Sequence, residues 1–199
     1  MRQILPRAVF LTSLLLSGPA LADLFGVSPY QYGLLVNEAL KQVGSEIRLH
    51  RNNCMERPSV ECRFSSDRIV VLVQGQTHPP QTSRIVIEAD LMQDEAGGGP
   101  IQMVAGCVLM LGATMVVVDP HLPAVRRVQL LSDLITEVLD RGSSENEGVN
   151  ARYTLVFDEA ASGMLNIVVT PLNSSTGDSL VDRGLRKSGT AAPRHWSHP

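Results

Sequence analysis

Residues 101–118 read Ile101-Gln102-Met103-Val104-Ala105-Gly106-Cys107-Val108-Leu109-Met110-Leu111-Gly112-Ala113-Thr114-Met115-Val116-Val117-Val118 and carry no charge. Eighteen such residues reach the length at which a membrane-spanning helix must be weighed against a helix buried in a protein core. Four features favour the core. Gln102 and Thr114 dilute the run, Gly106 and Gly112 lower its helix propensity, neither end has a basic flank or an aromatic belt, and Asp119 follows at once. A helix that is apolar around its whole circumference needs cover on most sides, from a sheet and from a neighbouring helix. Met115 to Val118 is also β-prone, so a short strand there is the competing local reading.

Downstream, Asp119-Pro120-His121-Leu122-Pro123 ends this element and opens another, because either Pro fits the first turn of a helix and neither fits an interior. Val125, Val128, Leu131, Leu134, Ile135, Val138 and Leu139 then recur at helical spacing as one apolar face. Arg126, Asp133, Glu137 and Asp140 lie off that face, and Gly142 caps the end. Residues 143–150 read as an acidic loop. A hairpin follows, with Tyr153, Leu155 and Phe157 alternating on one arm, Leu165, Ile167 and Val169 on the other, and the turn at Asp158 to Gly163.

Upstream, Ser28, Pro29 and Gln31 read as the start of a helix with a capping box, running to about Val43 with Gly44 beyond its end. Its predicted apolar stripe is Leu35, Val36, Ala39, Leu40 and Val43, with Asn37, Glu38 and Lys41 in solvent. Ile47 and Leu49 suggest a short strand, or one more helical turn. From Val60 to Leu91 alternation predicts three antiparallel strands, with a tight turn at Ser65-Ser66-Asp67 and a longer connection from Gly75 to Ser83. Asp94 to Pro100, acidic and glycine-rich, reads as a solvated loop.

The termini set the address. Arg2 and Arg7, an apolar run from Ala8 to Leu16 and Ala20-Leu21-Ala22 predict a secretory signal peptide over residues 1–22, cleaved before Asp23. Residues 23–172 then form one α+β domain, and 173–199, rich in Ser, Thr, Gly, Arg and Pro, have the composition of a disordered tail. The chain has net charge −3, residues 23–172 carry 11 Lys/Arg against 18 Asp/Glu, and the tail carries 4 against 2. An acidic body argues against nucleic acid and against anionic membrane surfaces as partners. Of three cysteines, Cys54 and Cys62 share a polar, Pro-containing segment and are the expected disulfide, closing a loop whose constraint stabilises by about 2–3 kcal/mol. Cys107, in the apolar run, reads as a small buried hydrophobe, with an intermolecular bridge as the alternative.

Little in the sequence carries chemistry. His195 and His198 stand three apart around Trp196, a spacing that could chelate a metal on a helix, but they lie in the tail after Pro193; His121 between prolines reads as a turn residue, and His78 sits in a Pro-rich loop with nothing to orient it. No Gly-x-Ser-x-Gly elbow occurs; Ser162-Gly163 lies in a hairpin turn. Glu88 and Asp90 share one strand face, with Asp94 and Glu95 close behind, and are the only candidates for acid–base work or Ca²⁺, though a solvated strand face is the plainer account. Asn173-Ser174-Ser175 is a glycosylation sequon that matters only in a eukaryotic host.

The expected fold is therefore α+β: an antiparallel sheet, built from a three- or four-strand meander and a C-terminal hairpin, with about three helices on one face. In element order, over residues 28–170, it resembles the type III secretion chaperone fold with one extra helix; that resemblance implies a layout and no activity. The function expected is that of an exported periplasmic or secreted non-enzymatic module, an accessory that binds a protein partner, with no cofactor, no metal and no stable membrane insertion after cleavage. A homo-oligomer is compatible with it. A small secreted hydrolase using Glu88 and Asp90, and a protein tethered to a membrane through 101–118, are the alternatives.

Overall fold

A computed structural model of the chain describes residues 24–67, 69–91, 100–158 and 163–172. The expected leader, Asp94 and Glu95, Ser162, the sequon and the C-terminal histidines lie outside these residues. Among the described residues, seven strands form one antiparallel sheet: β1 (His50–Met55), β2 (Val60–Ser66), β3 (Ile69–Gly75), β4 (Thr82–Asp90), β5 (Ser143–Glu147), β6 (Ala151–Asp158) and β7 (Met164–Pro171). Their order is β1-β2-β3-β4-β7-β6-β5. Three helices, α1 (Tyr32–Gln42), α2 (Pro100–Val118) and α3 (Ala124–Arg141), pack on one face. The α2–α3 hairpin carries the chain from β4 at the centre to the far edge at β5, from which β6 and β7 return to the centre.

Period-two alternation sets the register. The inner face runs through Phe64, Val71, Ile87, Ile167 and Leu155, paired in turn across five strands and all buried. The outer face runs through Arg63, Leu72, Val86, Val168, Thr154 and Glu145. A one-residue slip would exchange the two rows, so burial of the inner row fixes the pairing. β2 and β3 meet in a two-residue turn in which Asp67 has φ +46°, the left-handed conformation such hairpins require. Gly75 is obligatory, because a Cβ there would run into the Gln81 carbonyl and Pro29.

The uncharged run is helical throughout, with no strand at its end, and it buries one side while Gln102, Ala105, Leu109 and Val116 stay exposed. Cys107, Met110, Leu111, Met115 and Val118 of α2 are buried, and among the described residues no helix is long and apolar enough to cross a membrane. Gly44 (φ +72°) and Gly142 (φ +75°) end α1 and α3 as expected.

Several expectations are corrected. Ser28 closes a turn ahead of the helix, accepting from the Gln31 and Tyr32 amides, so α1 begins at Tyr32. The buried stripe of α1 is Tyr32, Gly33, Val36, Ala39 and Leu40, while Leu35 and Val43 face solvent. Asn37 is not a solvated residue: its side chain donates to the Leu49 carbonyl at 3.0 Å and accepts from the Leu49 amide at 2.8 Å. That pairing holds Leu49 in place without a strand at residues 45–49, and β1 starts only at His50. The acidic loop is β5, an edge strand whose Ser144 turns inward and donates to the Leu134 carbonyl at 2.9 Å. Its outward Glu145 and Glu147 pair with Arg152, and charge on a short edge strand discourages pairing with a second sheet.

Candidate functional site

Cys54 and Cys62 form the disulfide, joining directly opposed positions of β1 and β2 rather than the ends of a loop. The bond clips the edge strand β1, which has one neighbour and a register shift between Arg51 and Asn53, to the body of the sheet. Cys107 is a buried free thiol whose pKa is pushed by burial up to about 12, which keeps it protonated and unreactive.

Glu88 and Asp90 do share one face of β4, the outer one, opposite Asn166 and Met164 of β7. Both are half-buried on an open sheet surface. Among the described residues no group of three or more His, Cys, Asp and Glu side chains is placed to hold a metal ion. His78 is exposed in the connection between β3 and β4, and His121 on the turn between α2 and α3.

A cleft of about 440 Å³ opens at the end of the sheet, between the segment 24–27, the C-terminal end of α2 and Pro171-Leu172. His121 and Asn150 are its polar side chains. Near it lies a polar centre that the sequence does not disclose. Asp119 is fully buried, and its carboxylate accepts from the Val149 amide at 2.7 Å and the Asn150 amide at 3.2 Å. Gly148 has no room for a Cβ because Asp119 Oδ2 occupies that place. The buried Tyr153 hydroxyl has its pKa raised, first by burial and then by the Asp119 charge, with Arg127 acting in the opposite sense. A buried carboxylate held by backbone amides ties the α2 terminus to the β5–β6 turn, a structural task.

The surface that stands out lies on the helical layer. The sequence assigns α3 one apolar face of seven residues, but only Leu134 and Val138 of these are buried, together with Leu130. Leu131 and Ile135 are half-buried, whereas Val125, Val128 and Leu139 are 81, 67 and 67% exposed. At 3.6 residues per turn, Leu131, Ile135, Val128, Leu139, Ser132, Val125 and Thr136 fill an uncharged sector of roughly 140°. Arg126, Gln129, Asp133, Glu137, Asp140 and Arg141 are confined to the far side of the helix.

The Leu131 edge of that sector meets α2, where a Cβ on Gly112 would lie 3.5 Å from Leu131 Cδ1, and Val128, Leu139 and Val125 turn from it into solvent. On the α2 side Gln102, Ala105, Leu109 (39% exposed) and Val116 (36% exposed) recur at helical spacing beside the half-exposed Val108 and Gly112. The two helices meet where Leu131 packs over Gly112, and the exposed residues named on both carry no ionisable group. A contiguous apolar patch rimmed by polar residues marks a place where another molecule binds.

Protein-family models, curated proteins and solved structures were each searched with this chain, and none matches. The arrangement itself can exclude water from a flat or helical apolar partner. The residues first singled out for chemistry, Glu88 and Asp90, lie on the opposite face of the sheet.

Proposed function

We propose that the chain is an exported, non-enzymatic module that binds a protein through the α2–α3 face, as an accessory of an envelope or secretion assembly. The observation that carries this reading is the uncharged exposed sector of α3, with Val125, Val128 and Leu139 in water and every charged side chain of the helix outside that sector. Helices that need only pack on their own sheet confine their apolar residues to the buried side. The intramolecular Cys54–Cys62 bond supports an oxidising compartment such as the periplasm or the cell exterior.

The test is capture from the organism's own envelope fraction on immobilised mature protein. Val128→Lys and Leu139→Lys should abolish capture while Glu88→Gln and Asp90→Asn leave it intact. Hydrolytic activity lost in Glu88→Gln or Asp90→Asn, with the helical variants unaffected, would establish the carboxylate enzyme instead.

A further inference from the structure

We infer that the outer face of the sheet, the one without helices, is covered by the chain's own segment 180–187. The inference is independent of the α2–α3 reading, since it concerns the opposite side of the molecule.

The outer face is graded from one end to the other. At the end where β7 finishes, Gln74, Arg84, Thr170 and Arg152 are polar. In the middle Leu72, Val86 and Val168 pair across β3, β4 and β7 as an aliphatic strip, with Val70 and Val156 one step beyond it. Val168 is 7% exposed although no helix lies over it, and the other four are half-buried. At the far end Glu88 and Asp90 on β4 and Asp158 on β6 flank Asn166 and Met164 of β7. An antiparallel sheet that meets water on one face alternates apolar inward with polar outward. The middle of this outer face breaks that rule, which marks it as a surface another segment covers.

Where the chain leaves the sheet names the occupant. It does so after Pro171 of β7, the strand between β4 and β6 on that face, with 27 residues following Leu172. Residues 173–179, Asn-Ser-Ser-Thr-Gly-Asp-Ser, have the composition of a reversing turn. Leu180 and Val181 come next, then Arg183, Arg186 and Lys187. Laid back along β7, the segment meets the face in matching order: polar linker at the polar end, aliphatic pair over the strip, cations at the carboxylates. The lengths agree. Val168 lies about 10 Å along β7 from Pro171, and Met164 about 13 Å further. The eight residues from Leu172 to Leu180 reach about 27 Å, enough to turn and come back to the strip, and the six from Val181 to Lys187 reach about 20 Å. The signs agree as well, because segment 180–187 carries three Lys/Arg against one Asp. A short tether keeps the segment concentrated beside the face, so each contact need only be weak.

The test uses Lys187, because the chain has one other lysine, Lys41 on α1. A water-soluble carbodiimide joins an amine to a carboxylate only where the two already touch, and peptide mass spectrometry of the treated protein, with its C-terminus intact, reads the pairs. Lys187 should couple to Glu88, Asp90 or Asp158 in a product with the mass of one chain. Leu180→Ser with Val181→Ser, outside the described fold, should lower that yield several-fold while coupling of Lys41 stays unchanged. Coupling of Lys187 to Asp133, Glu137 or Asp140 of α3, or only to Asp178, Asp182 and the carboxyl terminus, overturns the inference, as does a yield indifferent to Leu180 and Val181. A product of two chains' mass carrying the Lys187–Glu88 link would place the segment on a neighbouring copy and overturn its return to its own sheet. None of these outcomes bears on capture through Val128 and Leu139, so the two readings stand or fall separately.

Discussion

The Tyr32 hydroxyl of α1 and the Thr114 hydroxyl of α2 lie 2.7 Å apart in the core, and Thr114 gives its own proton to the Met110 carbonyl at 2.8 Å. Tyr32 is therefore the donor, and burial raises its pKa, partly offset by the Thr114 bond. The residue that makes the uncharged run less suited to lipid is thus the one that docks the first helix onto it, while the Tyr32 ring sits 5.9 Å from that of Phe64 on the sheet.

Removing the acceptor should cost more than removing the donor. Thr114→Val leaves a phenol buried without a partner and should lower stability by about 1–3 kcal/mol, against about 1 kcal/mol for Tyr32→Phe. Chemical denaturation of both single variants and the double variant checks this; the double variant should be more stable than the sum of the two losses predicts.

Asp119→Ala should destabilise by about 2–4 kcal/mol, because it strips the Val149 and Asn150 amides of their acceptor. Gly148→Ala should produce a comparable loss, since the new methyl competes with the carboxylate for one place. In a cycle the two losses should be far from additive, and additive losses would show that the carboxylate and the glycine act independently.

The disulfide should contribute about 2–3 kcal/mol, the chain-entropy value for a short closed loop. Reduction, or Cys54→Ser with Cys62→Ser, should lower the melting temperature by about 2–4 °C per kcal/mol lost. The fold should survive, because β2 keeps β3 as a neighbour and only the edge strand is released. Calorimetry with and without reductant reads the shift.

Cys107 should ignore alkylating reagents in the folded protein and react on unfolding. Its thiol ionises near 9.0 in an exposed chain, and burial in the folded protein pushes that up to about 12. The unfolded state thus releases its proton first as pH rises, and stability should fall between those two values by an increment that Cys107→Ala removes. Thiol titration and denaturation at alkaline pH test both parts.

Periodicity made α3 and both central hairpins legible, because each repeats at its own period, while α2 was legible from its uncharged length alone. It did not reveal β5, whose Ser-Ser-Glu-Asn-Glu has no apolar alternation and is a strand because β6 and α3 supply its partners. Nor did it disclose Asn37 or Asp119, whose partners are backbone groups 12, 30 and 31 residues away. For α3 the pattern named the apolar residues and left open what covers each. Leu134 and Val138 meet the sheet, and Val125, Val128 and Leu139 on the same stripe do not.

The segment just after the expected cleavage point is built into the sheet: the Phe25 amide donates to the Thr82 carbonyl at 2.7 Å, the Thr82 amide donates to the Val27 carbonyl at 2.9 Å, and the Phe25 ring is buried. A chain cut after Ala22, as the sequence predicts, would keep two residues ahead of Phe25, too few for a peptidase to hold the bond extended while Phe25 stays paired. Such a cut and the pairing of Phe25 with Thr82 would then compete for the same few residues. A cut after Ala22, were it made, would have to come before Phe25 closes against Thr82.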